Sequence, residues 1–320
     1  MKVLVTGAAG FIGSNLAEKL ARRGDDVVGL DNFNDYYDPA KKRANEARLN
    51  AYPNFRMAEM DIRDRAGLFA LFEAEQFDAV AHLAAMAGVR NAVRHPDLYV
   101  EVDLNGTQHL MDAARAAGSV ENFVFASTSS VYGNTKQIPF VETDPCDRPL
   151  QPYAAAKRAA EILGHAYHHL FGLNFTALRF FTVYGPNGRP DMMAYLVAES
   201  IAKGIEIPLY DGGQMYRDWT FVEDITDGVV LALERPLGYE IINLGRGEPT
   251  LLKDFVTMLE ELAGRRANLV SKPRLAADFV INQADISKAR RLLGYDPQVS
   301  TGEGVRRFWE WYSEVVMRDG

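Results

Sequence analysis

The sequence has almost no cysteine and no run of positive charge. Cys146 is the single cysteine among 320 residues, so an internal disulfide is excluded and a reducing compartment is expected. The net charge of −8, without a basic cluster, argues against a nucleic-acid partner. No apolar run is long enough to cross a membrane, and strand-like sequence from Lys2 onward leaves no room for a signal peptide. These absences predict a soluble, cytoplasmic protein.

The first thirty residues carry the pattern of a dinucleotide-binding turn. A short apolar run, Val3–Thr6, is followed at once by a glycine-rich turn, an amphipathic helix that ends near Gly24, and a second buried strand. Glycines at such a turn let the backbone approach a pyrophosphate, which sits at the positive N-terminus of the helix. The predicted cofactor contacts of this turn are Gly7, Gly10, Phe11, Ile12 and Gly13.

Asp31 indicates which dinucleotide the turn binds. It ends the second strand, where a carboxylate accepts hydrogen bonds from the adenosine ribose hydroxyls. Its charge would repel a 2′-phosphate, and the neighbouring Asn32 and Phe33 supply no arginine to bind one. We therefore predict NAD rather than NADP, with Asn32 as part of the same site.

Strands and helices continue to alternate as far as Phe180. Further strands are predicted at 55–60, 79–84, 123–125 and 175–180, and further helices at 66–72, 103–117 and 153–170. This alternation predicts an α/β protein with a Rossmann-type, doubly wound parallel sheet, which binds ligands at the C-terminal ends of its strands.

The pattern loosens after Phe180. Shorter strands are predicted at 207–210 and 217–221, and helices near 196–201 and at 223–233, 252–263, 287–292 and 302–316. We predict a NAD-binding domain over residues 1–180, to which part of 218–247 returns. Residues 181–320 are predicted to form a smaller, mixed substrate lobe.

The residues expected to react lie between Ser127 and Lys157. On a helix, Tyr153 and Lys157 share one face, where the ammonium can lower the pKa of the phenol from about 10 toward working pH. A tyrosine activated in this way is a general base. The same pair also occurs on ordinary helix surfaces, so its meaning depends on Ser127–Ser130, which the fifth strand delivers to the crevice of the glycine turn.

A cluster of histidines offers a weaker, second pattern. His165, His168 and His169 have helical spacing, but no carboxylate or cysteine nearby completes a tetrahedral ligand set. We predict no metal site.

Over essentially its full length, the chain resembles the extended short-chain dehydrogenases/reductases that act on nucleotide sugars. The motifs that carry the resemblance are Thr6-Gly-x-x-Gly-x-x-Gly13, Asp61-Ile62, His82-Leu83-Ala84-Ala85, Ser127–Gly133, Tyr153-x-x-x-Lys157 and Arg217-Asp218. Within that family it is most similar to the UDP-glucuronate 4-epimerases, on the stretches Asp31–Asp38, Ala87–Arg90, Thr128–Gly133 and Arg179–Met192. The resemblance implies five further cofactor contacts, namely Asp61, Ile62, Leu83, Ala84 and Ala85.

The resemblance also implies a mechanism, with NAD that stays bound. Tyr153, as the phenolate, takes the proton of the sugar 4-hydroxyl while carbon 4 gives its hydride to the nicotinamide. Lys157 holds down the pKa of the tyrosine and hydrogen-bonds the cofactor ribose, and Thr128 hydrogen-bonds the 4-oxygen. The 4-keto sugar then turns over and takes the hydride back on its other face.

A UDP-uronic acid needs further contacts. Ser129, Ser130 and Thr182 are implied as donors that hold the carboxylate in an orientation that discourages loss of carbon dioxide. Alternatively, these hydroxyls only satisfy backbone groups at a strand end. The remaining implied contacts are Arg217 and then Arg189 for the diphosphate, Asp278 for the nucleotide ribose, and Arg90. Tyr210 is implied as a contact of the uracil; alternatively, it is an ordinary core tyrosine. Related epimerases read Pro-Gly-Asp where this chain reads Ala276-Ala277-Asp278.

Three other functions compete with this interpretation. Dehydratases and decarboxylases of the superfamily typically carry an acid in the pair that is Ser129-Ser130 here, and this chain has no carboxylate between Glu121 and Glu142. Epimerases of neutral UDP-hexoses, the nearest rival, usually carry Asn at the position of Thr182. A non-catalytic NAD-binding regulator typically lacks the tyrosine or the lysine, and both are present.

The helices near 97–117 and 152–171 carry apolar residues on more than one face. One face should meet the sheet, and the other would meet a second subunit in the four-helix bundle that is usual in the family. We therefore predict a homodimer.

Overall fold

The computed structural model describes residues 1–273 and 280–317, except for the side chains of residues 89 and 90. Its strands are β1 (Lys2–Thr6), β2 (Asp26–Asp31), β3 (Phe55–Glu59), β4 (Ala79–His82), β5 (Asn122–Thr128), β6 (Phe175–Phe180), β7 (Thr182–Tyr184), β8 (Ile207–Tyr210), β9 (Tyr216–Arg217), β10 (Trp219–Phe221), β11 (Tyr239–Leu244), β12 (Thr250–Leu251), β13 (Leu269–Lys272) and β14 (Ile281–Asn282).

The helices surround these strands. They are α1 (Phe11–Arg23), α2 (Pro39–Leu49), α3 (Arg65–Glu75), α4 (Val89–Arg94), α5 (Pro96–Tyr99), α6 (Thr107–Ala117), α7 (Pro152–Phe171), α8 (Met193–Lys203), α9 (Val222–Leu233), α10 (Leu252–Ala263), α11 (Ser287–Leu293) and α12 (Thr301–Trp311). Short 3₁₀ turns lie at Ser129–Tyr132 and Asp211–Gly213, and π-helical turns at Val100–Gly106 and Tyr312–Val316. In the described part of the chain, no helix combines the length and apolar content needed to span a bilayer.

Seven strands form one parallel sheet in the order β11-β6-β5-β4-β1-β2-β3. Its central strands are apolar on both faces, as in β1, where Val3, Leu4 and Val5 are all fully buried. Helices α1, α9 and α11 cover one face, and α3, α6 and α7 cover the other. The predicted Rossmann-type, doubly wound fold class is confirmed.

A smaller lobe follows directly from the sheet, because β7 begins two residues after β6 ends. Three short sheets, β10-β7, β12-β9-β14 and β13-β8, pack with helices α8, α10 and α12 around a third core. At its centre the rings of Trp219 and Phe255 stack with centroids 3.9 Å apart. Because β7 follows β6 directly, the small lobe begins at the C-terminal edge of the large sheet, where parallel sheets bind ligands.

The structure differs from the sequence prediction near the site, most clearly at α2 and before α6. Helix α2 was not predicted, because its Lys- and Arg-rich sequence has no apolar stripe; it begins where Asp38 caps the backbone N–H of Ala40 at 2.9 Å. The helix predicted over 103–117 is α-helical only from Thr107, and the π-helical turn Val100–Gly106 precedes it. π-Helical turns often accompany functional sites.

Candidate active site

The glycine turn forms a cradle that only glycine permits. Gly7 has a φ of +70°, and a Cβ there would lie 2.9 Å from the backbone nitrogen of Ala84. A Cβ on Gly13 would lie 2.0 Å from the carbonyl oxygen of Gly7. Helix α1 starts at Phe11 with neither a side-chain cap nor an acidic residue in its first turn, which leaves its backbone N–H groups open to an anion. The turn therefore fits a pyrophosphate.

A cavity of about 700 Å³ extends from this turn along the C-terminal ends of the strands. It runs from Asp31 at one end to Tyr153 and Lys157 at the other. The predicted cofactor residues that line it are Gly7, Gly10, Phe11, Ile12, Gly13, Asp31, Asn32, Asp61, Ile62, Leu83, Ala84, Ala85, Tyr153 and Lys157. The tertiary structure thus brings the whole predicted set into one crevice.

Asp31 also makes structural hydrogen bonds at its end of the cavity. Its buried carboxylate accepts the backbone N–H of Phe33 at 2.8 Å and that of Ala9 at 3.2 Å, which ties the glycine turn to the end of β2. Lys42 of α2, which sequence reasoning missed, places its ammonium 3.6 Å from the carboxylate. Burial lowers the pKa of Lys42, and Asp31 opposes that shift. The ammonium of Lys42 is therefore paired with Asp31 at this end of the cavity.

Asn32 and Asp61 form the rim of the same end. The Asn32 amide donates to the Asp61 carboxylate at 2.8 Å. The hydrogen bonds from Arg63 are the main cause that lowers the pKa of Asp61 to about 2. Asp61 is accordingly an anionic acceptor at any ordinary pH.

A chain of hydrogen bonds runs beneath the cavity. The Thr6 hydroxyl oxygen accepts the two backbone N–H groups that follow His82, at 3.1 and 3.0 Å, so its own proton goes to His82 Nδ1 at 2.7 Å. His82 Nε2 then donates to the Thr107 hydroxyl at 2.9 Å, which donates to the Asp103 carbonyl at 2.6 Å. Burial lowers the pKa of His82 well below its usual value, in keeping with this neutral tautomer. The chain orients the loop that carries Leu83, Ala84 and Ala85.

Tyr153 and Lys157 lie in the first two turns of α7, whose N-terminus is capped by Gln151. Lys157 is buried, donates to the carbonyl of Ala126 at 3.0 Å and lies 4.6 Å from the centroid of the Phe125 ring. Burial is the largest influence on the Tyr153 phenol and raises its pKa above the usual value.

In the protein by itself the pKa of the Tyr153 phenol thus lies above its usual value, against the predicted lowering by Lys157. The influences that do lower it are a hydrogen bond with Thr128 and the charge of Arg189. The lysine is directed toward β5 by its bond to the carbonyl of Ala126, which is a contact that helical spacing could not reveal.

Asp103, which sequence reasoning missed, is fully buried behind this pair. One carboxylate oxygen accepts the backbone N–H of Met86 at 2.7 Å, and the other has no hydrogen-bond partner among the described residues. Burial raises its pKa to about 7 against the opposing charge of Lys157. Its negative charge raises the pKa values of Tyr153 and Lys157. In the sequence, Asp103 could have been found as a carboxylate on an otherwise apolar face of the predicted helix.

A second cavity, of about 340 Å³, opens beside Tyr153. The predicted substrate residues that line it are Thr128, Ser129, Ser130, Thr182, Arg189 and Arg217. Thr128 Oγ1 accepts the backbone N–H of Ser130 at 3.1 Å, and the same hydroxyl is hydrogen-bonded with Tyr153. Among the described residues that line this cavity, none is acidic. Hydroxyls and arginines suit an anionic ligand.

A buried ion pair supports the floor of this cavity. The Arg179 guanidinium makes two bonds to the Glu161 carboxylate, at 2.9 and 2.8 Å, and Ser127 donates to the same carboxylate at 2.6 Å. All three side chains are buried. They join β5, which carries Thr128, and α7, which carries Tyr153 and Lys157, to the neighbouring strand β6.

The arginines and the remaining predicted contacts are placed less uniformly. Arg189 bonds to Asp191 at 2.9 and 3.1 Å and lines both cavities next to Tyr153. Tyr210 lies on β8 and is not among the described residues lining either cavity. Asp278 lies outside the described residues, and for Arg90, in α4, only the backbone is described.

Comparisons with known proteins identify a family that matches most of the chain. Residues 3–245 match the model of the family described as "NAD dependent epimerase/dehydratase family". The chain is 44% identical to UDP-glucuronate 4-epimerase 3 of Arabidopsis thaliana, over 97% of this chain and 76% of that protein. It is 42% identical to the UDP-glucuronate 4-epimerase of Thermodesulfobacterium geofontis, over 98% and 96% of the two chains.

A solved structure extends the likeness to three dimensions. The UDP-glucuronic acid 4-epimerase of Bacillus cereus, in complex with UDP-glucuronic acid and NAD, superposes with a TM-score of 0.91. That enzyme is 34% identical, and the match covers 98% of this chain and 100% of the other.

Proposed function

The chain belongs to the NAD dependent epimerase/dehydratase family, and we propose that it is a cytoplasmic 4-epimerase that interconverts UDP-glucuronic and UDP-galacturonic acid. The observation that carries the proposal is the cavity beside Tyr153, which is lined by hydroxyls and arginines and by no acidic residue among those described. Relatives more than 40% identical over nearly the whole chain are named for this activity.

The cofactor of this reaction is NAD, which supplies a hydride acceptor and donor when bound. The glycine turn and the open N-terminus of α1 would hold its pyrophosphate, and Asp31 its adenosine ribose. Tyr153 would take the proton from the sugar 4-hydroxyl and later return it. Thr128, which lines the cavity beside Tyr153 and is hydrogen-bonded with it, would orient the 4-oxygen.

The acid group of the substrate would be held by neutral donors. Ser129, Ser130 and Thr182 line the cavity together. Hydrogen bonds to a carboxylate are stronger than those between neutral groups, and they fix its plane relative to the ring. With the carboxylate held so that its bond to the ring is out of line with the 4-keto group, return of the hydride to carbon 4 would be faster than loss of carbon dioxide.

The test is to incubate the protein with UDP-glucuronic acid without added reductant. We expect UDP-galacturonic acid to form with no net accumulation of NADH. A UDP-pentose or a stable 4-keto product would contradict the proposal. Faster epimerisation of UDP-glucose than of UDP-glucuronic acid would instead identify the neutral-hexose rival.

The charge of Asp103 predicts an unusual pH dependence. Above about pH 7 the Asp103 carboxylate is charged and opposes formation of the Tyr153 phenolate, whereas below that pH it is neutral. Asp103→Asn keeps an oxygen for the Met86 N–H and removes the charge. We therefore expect the variant to have a higher kcat than the wild type above about pH 7, where formation of the Tyr153 phenolate limits the rate. Below about pH 7 the two proteins should have the same kcat.

Removal of Asp103's charge also lowers the pKa of Lys157, so the alkaline limb should move to lower pH as well. The measurement is the profile of kcat against pH for both proteins. Superimposable profiles above pH 7 would contradict a role for the charge.

A homodimer formed through helices near 97–117 and 152–171 is part of the proposal. Three apolar side chains of α7 are exposed in the single chain, namely Ile162, Leu170 and Phe171. Light scattering at micromolar concentration should give twice the chain mass. Ile162→Glu should shift the equilibrium toward monomer, whereas Leu262→Glu, at an exposed leucine of α10, should not. A monomeric wild type would contradict this prediction.

A further inference from the structure

Asn282 is a buried polar side chain that enters the substrate cavity from the small lobe. It ends β14, which pairs in parallel with β9 and sets Asn282 opposite Arg217. The side chain is 3% exposed and lines the cavity together with Ser129. No sequence motif singled it out, because 153 residues separate it from Ser129.

The hydrogen bond between these two residues has a direction. Asn282 Nδ2 donates to Ser129 Oγ at 3.1 Å. A serine hydroxyl carries a single hydrogen, and a hydroxyl oxygen that accepts one bond still donates its own proton elsewhere. In the described part of the chain, that proton has no acceptor, so it is available to a ligand in the cavity.

The amide oxygen of Asn282 is a second polar group at this point of the cavity. Oδ1 is buried and has no hydrogen-bond partner among the described residues. A buried acceptor left unpaired is costly, and a ligand donor that reaches it removes that cost. The sugar of a UDP-uronic acid matches both groups, since its carboxylate accepts the Ser129 proton and one of its hydroxyls donates to Asn282 Oδ1.

We propose that Asn282 is a specificity-determining residue that holds Ser129 as a donor to the carboxylate of the sugar. This inference rests on the proposed function. Asn282 acts on the acid group through Ser129, while its own Oδ1 accepts a hydroxyl of the same sugar. Ser129, in the 3₁₀ turn after β5, and Asn282, on β14, would thus contact the acidic sugar from the two lobes together.

The deciding variant is Asn282→Asp. An aspartate only accepts, so the Ser129 proton turns to it and away from the substrate, and a second negative charge faces the sugar carboxylate. We expect the KM for UDP-glucuronic acid to rise about tenfold or more. The inhibition constant of UDP, which lacks the sugar, should stay unchanged. Gln283→Ala, at the neighbouring residue that bonds to the carbonyl of Gly247 outside the cavity, is the matched control.

A second variant tests whether Asn282 acts through Ser129. Asn282→Ala should raise the KM in the wild-type background and add little in a Ser129→Ala background, because coupled residues are not additive. Equal losses of UDP and UDP-glucuronic acid affinity would overturn the inference, since they would report only a disturbed strand beside Arg217. An unchanged KM in Asn282→Asp would overturn it too. Failure of the wild type to epimerise UDP-glucuronic acid would instead refute the proposed function.

Discussion

Tyr153→Phe is expected to lower kcat by about a thousandfold, within the range that general acid–base catalysis contributes. The substitution removes the one oxygen that would exchange a proton with the sugar 4-hydroxyl. The phenyl ring keeps its edge-on contact with Tyr99, whose ring centroid is 6.1 Å away, so packing is preserved. NAD should bind as before, because the glycine turn and Asp31 lie at the other end of the cavity.

The measurement is single-turnover and steady-state epimerisation, with calorimetric titration of NAD. Tyr167→Phe is the matched control, since Tyr167 is on the same helix and donates to Asp112 at 2.8 Å, outside both cavities. That variant should keep its activity. A Tyr153→Phe enzyme within tenfold of wild-type kcat would show that another group is the base.

Gly13→Ala is expected to abolish cofactor binding and, with it, activity. The new Cβ would lie 2.0 Å from the carbonyl oxygen and 2.7 Å from the carbonyl carbon of Gly7. Backbone atoms cannot rotate away, so the turn and α1 must separate and the cradle for the pyrophosphate is lost. Overpacking of this kind also costs about 1–3 kcal/mol in the free energy of unfolding.

The readout is NAD affinity by titration, alongside the free energy of unfolding from a urea curve. Gly302→Ala is the matched control, because Gly302 lies in α12 and a Cβ there would meet nothing within 4 Å. It should leave affinity unchanged and stabilise the helix by up to about 1 kcal/mol. Tight NAD binding by Gly13→Ala would contradict the assignment of the turn.

Local sequence determined six of the seven strands of the large sheet, all but β11, and the chemistry that its edge can carry. Strand β1 and the turn that follows it were predictable because consecutive apolar residues and glycines record burial and close backbone approach directly. The face shared by Tyr153 and Lys157 followed from helical geometry. The absence of a carboxylate between Glu121 and Glu142, which separates epimerisation from elimination, is likewise a property of one stretch.

Tertiary structure alone decided which partners those residues meet. Lys42 reaches Asp31 from a helix without an apolar stripe, and Asn282 reaches Ser129 from the other lobe. Asp103 influences Tyr153 because a π-helical turn buries its carboxylate behind α7. Burial likewise raises the pKa of the Tyr153 phenol, which helical spacing does not reveal. Hydrogen-bond direction and desolvation depend on the whole surroundings of a side chain, and these come from segments far apart in sequence.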